Sequence, residues 1–355
     1  MTTNLPRVSI NLVVMNGENF IRHSLRSVKE QSYPQNLIEI NILDNGSTDK
    51  TREIIQEELE IENWKLKIGG FSLIENPTNI GFWAGQEKLF GRSGGEIIIA
   101  MTDVILEPNF IKNAALALEK NLRMGAIQAK IYQMELYNKT SPVFTNIIDT
   151  AGFAIFKSRR VINLGQGEED RGQFNDQQEV FAVEGAVPIF RKTSLEDCKI
   201  EGKIIDPDYR AGSLGYGDDL DLAWRMRLFG WRQVLAPDVI AYHDRSTTKD
   251  TAGNWPDYLK RVGRRKQIPI LKRRLDWRNV RFTIIKNDYI INILRALPKI
   301  LARETAILFY SLLFEPAVLL EIPALLKCLP NMLRKRRVIM QRAKTGSAEM
   351  RKWFL

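Results

Sequence analysis

The amino-acid sequence predicts an α/β protein with a doubly wound, mostly parallel sheet and a basic C-terminal helical extension. Three observations carry this prediction. Strand-like and helix-like segments alternate over the first 110 residues, as they do in right-handed βαβ units. One strand-like segment, Glu96–Met101, is short and apolar, which is typical of a central strand in a parallel sheet. After Arg245 the composition becomes basic, and no glycine occurs between Arg264 and Lys344.

Apolar spacing and capping signals define the elements of the first half. The predicted strands, each a short run rich in apolar residues, are Val8–Met15, Ile38–Leu43, Phe71–Glu75 and Glu96–Met101. The predicted helices, each with helical apolar spacing or a start signal, are Phe20–Gln31, Lys50–Leu59, Ala84–Phe90 and Pro108–Lys120. Ser47, Thr48 and Asp49 can cap the second helix, and Pro108 suits the first turn of the fourth.

The second half is less regular from Gly125 onward. Glu179–Phe190 is predicted to be a strand interrupted by a glycine and a proline, and Asp219–Phe229 a helix closed by Gly230. Gln233–Tyr242 is the last predicted strand. The compositional break then places the domain boundary between a catalytic-type domain, 1–246, and a basic, amphipathic helical region, 247–355.

Composition and charge restrict the class of protein. Of 355 residues, 44% are hydrophobic and 26% charged, so disorder and coiled coil are disfavoured. The net charge is +10, but residues 245–355 alone carry 25 Lys and Arg against 8 Asp and Glu, and the remainder is net acidic. The basic part therefore suits an anionic partner, either nucleic acid or an acidic membrane leaflet. Cys198 and Cys328 lie in no metal or disulfide motif, so a reduced, intracellular protein is expected.

The N-terminal sequence does not indicate a cleaved signal peptide, and the most apolar stretch does not indicate a simple transmembrane helix. The sequence MTTNLPRVSI has no long apolar core and no small-residue cleavage site, so we expect no secretory signal. Residues 305–329 are apolar but contain Glu315, Pro316 and Glu321. Because carboxylates near the centre of a bilayer are costly, this stretch predicts helices that lie in the membrane interface, with a spanning hairpin as the alternative.

Polar clusters follow several predicted strands, and the carboxyl ends of parallel strands meet at one edge of a sheet, where ligands bind. These clusters are Asn16–Asn19, Asp44–Asp49, Asp103, and Asp218-Asp219 with His243. No GxGxxG follows the first strand and no GxxxxGK[ST] occurs, so dinucleotide and P-loop binding are disfavoured. His23 lies within a helical pattern and receives no role.

Each cluster has a chemical interpretation beside a structural one. Asp44 can accept hydrogen bonds from a base or a sugar hydroxyl, although a tight turn with a helix cap explains it equally. Asp103 ends a central strand, where one carboxylate suits a hard cation such as Mg²⁺, and a neutral His243 could complete that site. Asp218, Asp219 and Asp221 crowd the first turn of a helix, which raises at least one pKa and leaves a base able to act near neutrality.

In this order, the segments resemble glycosyltransferase family 2, especially its rhamnosyltransferase-like members. The similarity runs from Val8 to about Ser246. The matching segments are VSINLVVMNG, ILDNGSTD, NPTNIGFWAG, MTDVIL, DTAGF, VEGAVPIFRK, GYGDDLDLAWRMRLFGWR and AYHDRS. The resemblance implies a GT-A fold, a nucleoside diphosphate sugar donor, a divalent cation (Mg²⁺ or Mn²⁺) and inversion at the anomeric carbon.

The resemblance also implies roles for single residues. Asp44 resembles the residue that contacts the nucleobase, and Asp103 the last acid of the metal-binding DxD motif. Asp219 resembles the second acid of the family's Glu-Asp pair, the usual catalytic base, with Asp218 in the first place. The other implied site residues are Asn16, Asn79 and Gly81 in donor-site loops, Arg225 near the diphosphate, and His243 in the metal shell.

Two departures from the family pattern stand out. Met101 occupies the position of the first DxD acid, so the metal would depend on Asp103, the diphosphate, water and His243. Asp218 replaces the more usual Glu, which leaves the base open between Asp218 and Asp219.

The sequence thus predicts an inverting glycosyltransferase acting on a lipid-linked or polysaccharide acceptor at the cytoplasmic face of an anionic membrane, without nucleic acid. The resemblance to rhamnosyltransferase-like members favours rhamnose carried on thymidine diphosphate as the donor. The alternatives are a non-catalytic membrane- or nucleic-acid-binding protein on an α/β scaffold, and a nucleotidyltransferase. The latter usually needs a Gly-rich, basic loop after the first strand, and Val13–Glu18 contains no basic residue.

Overall fold

A mixed sheet of ten strands forms the centre of the described part of the protein. The structure is a computed structural model and describes residues 5–136, 141–211, 214–244, 265–266 and 268–355. The strands are β1 (Val8–Val14), β2 (Ile38–Asp44), β3 (Gly70–Glu75), β4 (Ile97–Met101), β5 (Val104–Leu106), β6 (Met124–Glu135), β7 (Val143–Thr150), β8 (Phe153–Ile155), β9 (Val161–Asn163), β10 (Gln178–Glu179), β11 (Ile189–Arg191), β12 (Arg210–Ala211), β13 (Leu214–Gly215) and β14 (Arg232–His243). β8–β9 and β12–β13 form two separate small pairs.

The strand order explains why distant residues meet at one edge. The sheet runs β10-β14-β6-β11-β4-β1-β2-β3, with β5 on β14 and β7 on β6. β1, β2, β3 and β4 are parallel to one another, and β14 is parallel to β6, whereas β11 is antiparallel to both of its neighbours. Six strands therefore point the same way. The loops that follow β1, β2, β4 and β14 meet at the same sheet edge, and the predicted mostly parallel sheet is confirmed.

Helices cover both faces of this sheet. They are α1 (Ile21–Lys29), α2 (Thr51–Glu60), α3 (Trp64–Lys67), α4 (Phe82–Phe90), α5 (Phe110–Glu119), α6 (Lys192–Asp197), α7 (Asp218–Leu228), α8 (Ile270–Asn287), α9 (Ile290–Arg295), α10 (Leu297–Phe314), α11 (Ile322–Arg342) and α12 (Ser347–Arg351). Alternate residues of β4 belong to two cores. Ile97 and Ile99 pack with α1, α2 and α5, and Ile98 packs with α4, α6 and α7, as a doubly wound sheet requires.

The C-terminal helices pack on the catalytic-type part rather than apart from it. Ile339 of α11 and Met350 of α12 belong to the same core as α7. Phe354 lies in that core as well, and the amide of Leu355 donates to the carbonyl of Ile155 at 3.0 Å. The predicted domain boundary at 246–247 lies outside the described residues.

The prediction for Glu179–Phe190 was wrong. Only its two ends are strands: β10 pairs with β14 near one edge, and β11 lies between β4 and β6. Residues 180–188 carry the chain from one position in the sheet to the other, so they cannot form one strand. The local pattern does not predict β6, because the buried polar residues Gln128 and Lys130 interrupt its apolar run.

One helical stretch in the described residues, Pro316–Arg342, is long and apolar enough to cross a bilayer by length and composition. It comprises a short 3₁₀ turn, Pro316–Glu321, followed by α11. In the structure 17% of its most apolar window is buried.

Candidate active site

A cavity of about 970 Å³ lies between the carboxyl edge of the sheet and the C-terminal helices. Three residues predicted from the sequence line it: Asp103 after β4, His243 at the end of β14, and Asp219 at the start of α7. Asp103 lies more than 100 positions before Asp219 and His243 in the sequence. The sheet brings the strand ends that carry Asp103 and His243 together. Trp83 and Gly185 complete the sheet side of the wall, and α8 and α10 form the opposite side.

Asp103 and His243 form one end of a hydrogen-bonded chain. His243 Nε2 lies 3.3 Å from Asp103 Oδ1, and His243 Nδ1 lies 2.9 Å from Asp149 Oδ2. Burial acts to lower the pKa of His243, but the carboxylates of Asp103 and Asp149 raise it to about 10. Asp149 is fully buried at the end of β7, so it fixes the orientation of the imidazole. The sequence pointed to the segment DTAGF but not to this role of Asp149.

Asp219 lines the same cavity from the first turn of α7. Gly217, with φ of +80°, ends the loop before this helix in a conformation that favours glycine. The carboxylate Oδ1 of Asp219 accepts the amide N–H of Leu220 at 2.8 Å. A side chain at Gly185 would place its Cβ 3.0 Å from Asp219 Oδ2 and 3.3 Å from Trp83 Cζ2. Gly185 therefore leaves the space that Asp219 occupies.

Replacing Gly185 tests whether this placement matters. In Gly185→Ala the new methyl group displaces the Asp219 carboxylate by a few tenths of an ångström, and misplaced reacting groups lose rate steeply. We expect turnover to fall by about tenfold or more, while the urea midpoint of unfolding changes little. Gly346→Ala is the matched control, because a Cβ at that position meets no atom within 4 Å. Equal turnover of the two variants would contradict this role of Gly185.

Asp218 is buried beside Asp219 and does not line the cavity. Burial raises the pKa of Asp218 to about 8, and the neighbouring Asp219 carboxylate adds to this effect. In the described part of the chain neither carboxyl oxygen of Asp218 has a hydrogen-bond partner. Asp218 is therefore a neutral acid at pH 7. It is the member of the crowded carboxylates whose pKa is raised. Asp219 is the member of the pair that a substrate in the cavity can reach.

The third carboxylate of this helix, Asp221, holds structure together. Lys286 of α8 lies 3.0 Å from the Asp221 carboxylate and 2.5 Å from Asp206 Oδ2. The amide of Asn287 donates to Asp221 Oδ1 at 2.7 Å. Burial acts to raise the pKa of Asp221, but Lys286 and Arg225 lower it. This buried network joins α7 to the C-terminal helices.

Arg225 belongs to the same network and lies away from the cavity. Its guanidinium lies 3.1 Å from Asp221 Oδ2 and donates to the carbonyls of Cys198 and Ile204, the latter at 2.7 Å. The side chain is 2% exposed. The structure therefore does not bring Arg225 together with Asp103, His243 and Asp219, and its contacts give no support to a role at the diphosphate.

The predicted donor loops form one connected rim at the carboxyl ends of β1, β2 and β3. Asn16 accepts the amide of Thr48 at 2.9 Å through its side-chain oxygen. Asn79 accepts the side-chain amide of Asn45 at 2.9 Å and the amide of Gly81 at 2.7 Å. Gly81, with φ of +87°, precedes α4. These residues lie outside the cavity lining, so the rim is a neighbouring part of the site.

Asp44 lies in this rim but is fully buried. It accepts from Arg52 Nε at 2.5 Å and from the amide of Ser47 at 3.2 Å. The Arg52 side chain is 40% exposed. A ligand can therefore reach Asp44 only after Arg52 moves.

The two side chains predicted to bind a metal ion, those of Asp103 and His243, lie side by side in the cavity. In the described residues, no group of three or more His, Cys, Asp or Glu side chains is arranged to hold a metal ion. Asp103 and His243 supply a carboxylate oxygen and an imidazole nitrogen to the same point of the cavity. Met101 points into the core on β4 instead of facing the cavity.

Comparison with known sequences places the part of the chain that carries Asp103 and the donor rim in a family. The sequence model of the family described as Glycosyl transferase family 2 matches residues 9–197. An uncharacterized glycosyltransferase of Haemophilus influenzae is 33% identical over 125 residues, which is 35% of this chain and 36% of that protein. Glycosyltransferase AglE of Haloferax volcanii is 40% identical over 57 residues, which is 16% of this chain and 19% of that protein. The matches thus span about a third or less of the length of these curated relatives.

Solved structures share the fold at low sequence identity. GalNAc-T7 with UDP, GalNAc and Mn²⁺ matches 73% of this chain and 46% of that chain, with a TM-score of 0.55 and 14% identity. TarS 1-349 of S. aureus with UDP matches 98% of this chain and 91% of that chain, with a TM-score of 0.51 and 16% identity. The match to TarS extends over the C-terminal helices.

Proposed function

This chain belongs to glycosyltransferase family 2, and from that premise we propose that it transfers a sugar from a nucleoside diphosphate to an acceptor hydroxyl with inversion. The observation that carries the proposal is the common cavity of Asp103, His243 and Asp219. An inverting transfer needs a base on one side of the anomeric carbon and a stabilised leaving group on the other. Asp219, on α7, can supply the base, and Asp103 and His243, at the ends of β4 and β14, can stabilise the leaving group.

Asp219 is the proposed base. The acceptor oxygen forms a bond to the anomeric carbon, the bond from that carbon to the diphosphate oxygen breaks, and Asp219 takes the acceptor proton. Asp218, neutral at pH 7, adds no second negative charge beside it. A positioned carboxylate base contributes about 10²–10⁴-fold in rate.

Asp103 and His243 are the proposed holders of a divalent cation. Their atoms fit this role because Asp149 binds His243 Nδ1 and leaves Nε2 directed at Asp103, which is the arrangement of a supported imidazole ligand. The raised pKa of His243 means that Nε2 carries a proton at pH 7 in this structure, contrary to the neutral imidazole expected from the sequence, so a bound cation would have to displace that proton. When bound, such an ion supplies positive charge to the departing diphosphate. The Mn²⁺ complex of GalNAc-T7, which shares the fold, agrees with this choice of ion.

The donor nucleotide is proposed to lie along the rim of Asn16, Asp44, Asn79 and Gly81, with Asp44 near the base once Arg52 has moved. Rhamnose on thymidine diphosphate is the first donor to test, because the order of motifs resembles rhamnosyltransferase-like sequences. UDP, present in both of the solved structures named above, is the second.

A thermal-shift screen of nucleoside diphosphates and their sugars, with and without Mn²⁺, tests the proposal. We expect one nucleotide to raise the midpoint of unfolding, and chelation of the ion to reduce that shift because the diphosphate then meets uncompensated carboxylates. Asp103→Asn should weaken nucleotide binding in Mn²⁺ by at least about tenfold. Asp238→Asn, a surface change on β14, should leave it unchanged. The absence of any nucleotide shift in the wild-type protein would contradict the proposed function.

The protein is further proposed to dock on the cytoplasmic face of an anionic membrane through α9, α10 and α11. Exposed large apolar side chains are concentrated in this segment: Ile290, Ile291, Leu294, Leu297, Leu301, Leu308, Phe309, Leu312, Leu313, Phe314, Leu320, Ile322, Leu326 and Leu333. Exposed basic residues, Arg295, Lys299 and Lys327, lie among them. An apolar surface with interspersed cations is typical of an interfacial helix.

Docking is favoured over spanning because α11 is tied to the catalytic part. Lys335 lies 2.5 Å from Asp206 Oδ1 and 2.7 Å from Asp208 Oδ2. Met332 is fully buried against Phe282 of α8. A spanning position for this helix would separate these contacts.

Liposome binding tests the docking proposal. In Leu312→Glu/Leu313→Glu two exposed leucines of α10 become charged, so binding to vesicles with anionic lipid at low salt should weaken by at least about tenfold. Leu66→Glu, at a leucine of α3 that is 84% exposed and lies outside this surface, is the control and should bind as the wild type does. A wild-type protein that ignores anionic vesicles at low salt would overturn the proposal.

A further inference from the structure

The helical wall of the cavity is rich in basic residues that the proposed donor site does not use. Arg281 of α8 and Arg303 of α10 line the cavity opposite the sheet edge. Arg160, on the turn between β8 and β9, lines it as well. This wall lies outside residues 9–197, which the family's sequence model matches, except for Arg160.

Among the described residues of this wall and their direct partners, cations outnumber carboxylates. Arg281 and Arg303 share a single carboxylate, Glu304: Arg303 Nη1 lies 2.7 Å from Glu304 Oε1, and Arg281 bonds its other oxygen. Arg160 is exposed and makes no ion pair with any described residue. Among the described residues, the wall and its direct partners comprise six cations and three carboxylates: Arg160, Arg265, Lys272, Arg273, Arg281 and Arg303 against Asp276, Glu304 and Glu315. A net positive wall of a cavity attracts an anionic ligand.

Apolar surface accompanies these cations. Trp277 lines the cavity with its ring 3.8 Å below the Arg281 guanidinium. Ile307 and Tyr310 of α10 face the same space. The ligand that fits this wall therefore has an anionic group together with an apolar part.

The helix α10 connects the cavity with the exposed apolar surface. Arg303, Ile307 and Tyr310, spaced by four and three residues, face the cavity, whereas Leu308 and Leu312 lie on its exposed side. The spacing puts the two sets on different faces of one helix. A molecule anchored among the exposed leucines is one helix diameter away from the arginines.

We propose that the wall of α8 and α10 is the acceptor site and that it binds an acceptor carrying a phosphate group, held by Arg160, Arg281 and Arg303. This inference rests on the proposed glycosyltransferase function and adds the class of acceptor. Guanidinium groups bind phosphate oxygens in pairs of parallel hydrogen bonds, which makes arginines suited to this group. The phosphate belongs either to a membrane lipid or to a soluble sugar phosphate, and the apolar wall favours the lipid.

Calorimetric titration of the full-length protein with geranyl phosphate, geraniol and glucose 1-phosphate tests this inference. We expect geranyl phosphate to bind at least tenfold more tightly than geraniol. Arg160→Gln, which removes an exposed arginine without breaking an ion pair to any described residue, should weaken that binding, and Arg160→Gln with Arg303→Gln should weaken it by at least tenfold. Arg92→Gln, an exposed arginine in the turn after α4 that lies outside both the cavity and the docking surface, is the matched control and should bind as the wild type does.

The outcomes separate the two sources of phosphate and the two proposals. Binding of glucose 1-phosphate as tight as that of geranyl phosphate supports a phosphate site for a soluble acceptor, and tighter binding of geranyl phosphate supports a lipid acceptor. Equal binding of geraniol, or unchanged binding in the double variant, overturns the inference. A double variant that loses nucleoside diphosphate by the same factor also overturns it, because the wall then serves the donor. If the wild-type protein binds no nucleoside diphosphate sugar, the proposed function is wrong. The phosphate site can then no longer be assigned to an acceptor.

Discussion

Asp219→Asn should reduce sugar transfer by about 10²–10⁴-fold while the protein stays folded. The amide retains the size of the carboxylate but cannot take the acceptor proton, so the loss equals the contribution of a positioned base. Donor binding should change little, because the donor rim and Asp103 are untouched. The measurement is the single-turnover transfer rate with the donor found in the thermal-shift screen, together with the nucleotide affinity of the same variant.

Asp218→Asn is the neighbouring comparison for this variant. Burial raises the pKa of Asp218 to about 8, so at pH 7 an amide replaces a group that is already uncharged. We expect less than a tenfold loss of rate. Near-normal turnover of both variants would contradict the assignment of the base to this pair, and a large loss in Asp218→Asn alone would move the role to Asp218.

Lys286→Met should lower the free energy of unfolding by about 3–5 kcal/mol, since it removes the cation between two buried carboxylates. Lys286 Nζ lies 2.5 Å from Asp206 and 3.0 Å from Asp221. Burial acts to raise the pKa of Asp206, but Lys286 and Lys335 hold it well below its usual range. Urea unfolding followed by far-ultraviolet circular dichroism and by tryptophan fluorescence measures the loss.

Lys344→Met provides the surface comparison. Lys344 is half exposed, 3.4 Å from Asp197, and an exposed pair of this kind contributes about 0–1 kcal/mol. Because the Lys286 network joins α7 to α8, both spectroscopic signals should shift together in Lys286→Met. If the C-terminal helices unfolded at a lower urea concentration than the rest, residues 268–355 would be an independent unit. That result would contradict the buried contacts between α7 and α8.

The sequence predicted the sheet edge well because one physical rule governs it. Short apolar runs such as Ile97–Met101 identify parallel strands, and parallel strands end at a common edge. Asp103, Asp219 and His243 therefore came together in the cavity although nothing in their spacing along the chain relates them. Asp44 followed the same rule, but its burial beneath Arg52 depends on a side-chain contact that strand order cannot give.

Other features depended on tertiary packing and could not be read from local patterns. Arg225 faces Asp221 four residues earlier on the same helix, an internal pair that competes with any role at a ligand. Residues 180–188 look apolar and strand-like, but their path between two positions in the sheet is set by the partners of β10 and β11. The basic C-terminal segment was attributed to an anionic partner, whereas its contribution to the cavity wall depends on how α8 and α10 pack.

Diffraction from crystals grown with Mn²⁺ and the nucleoside diphosphate that stabilises the protein most tests the central claim directly. The account predicts an anomalous manganese peak between Asp103 and His243 with the diphosphate beside it, and Asp219 facing the same cavity across an open space. A nucleotide bound elsewhere, or a manganese peak away from Asp103, would show that these acidic groups do not share one reaction site.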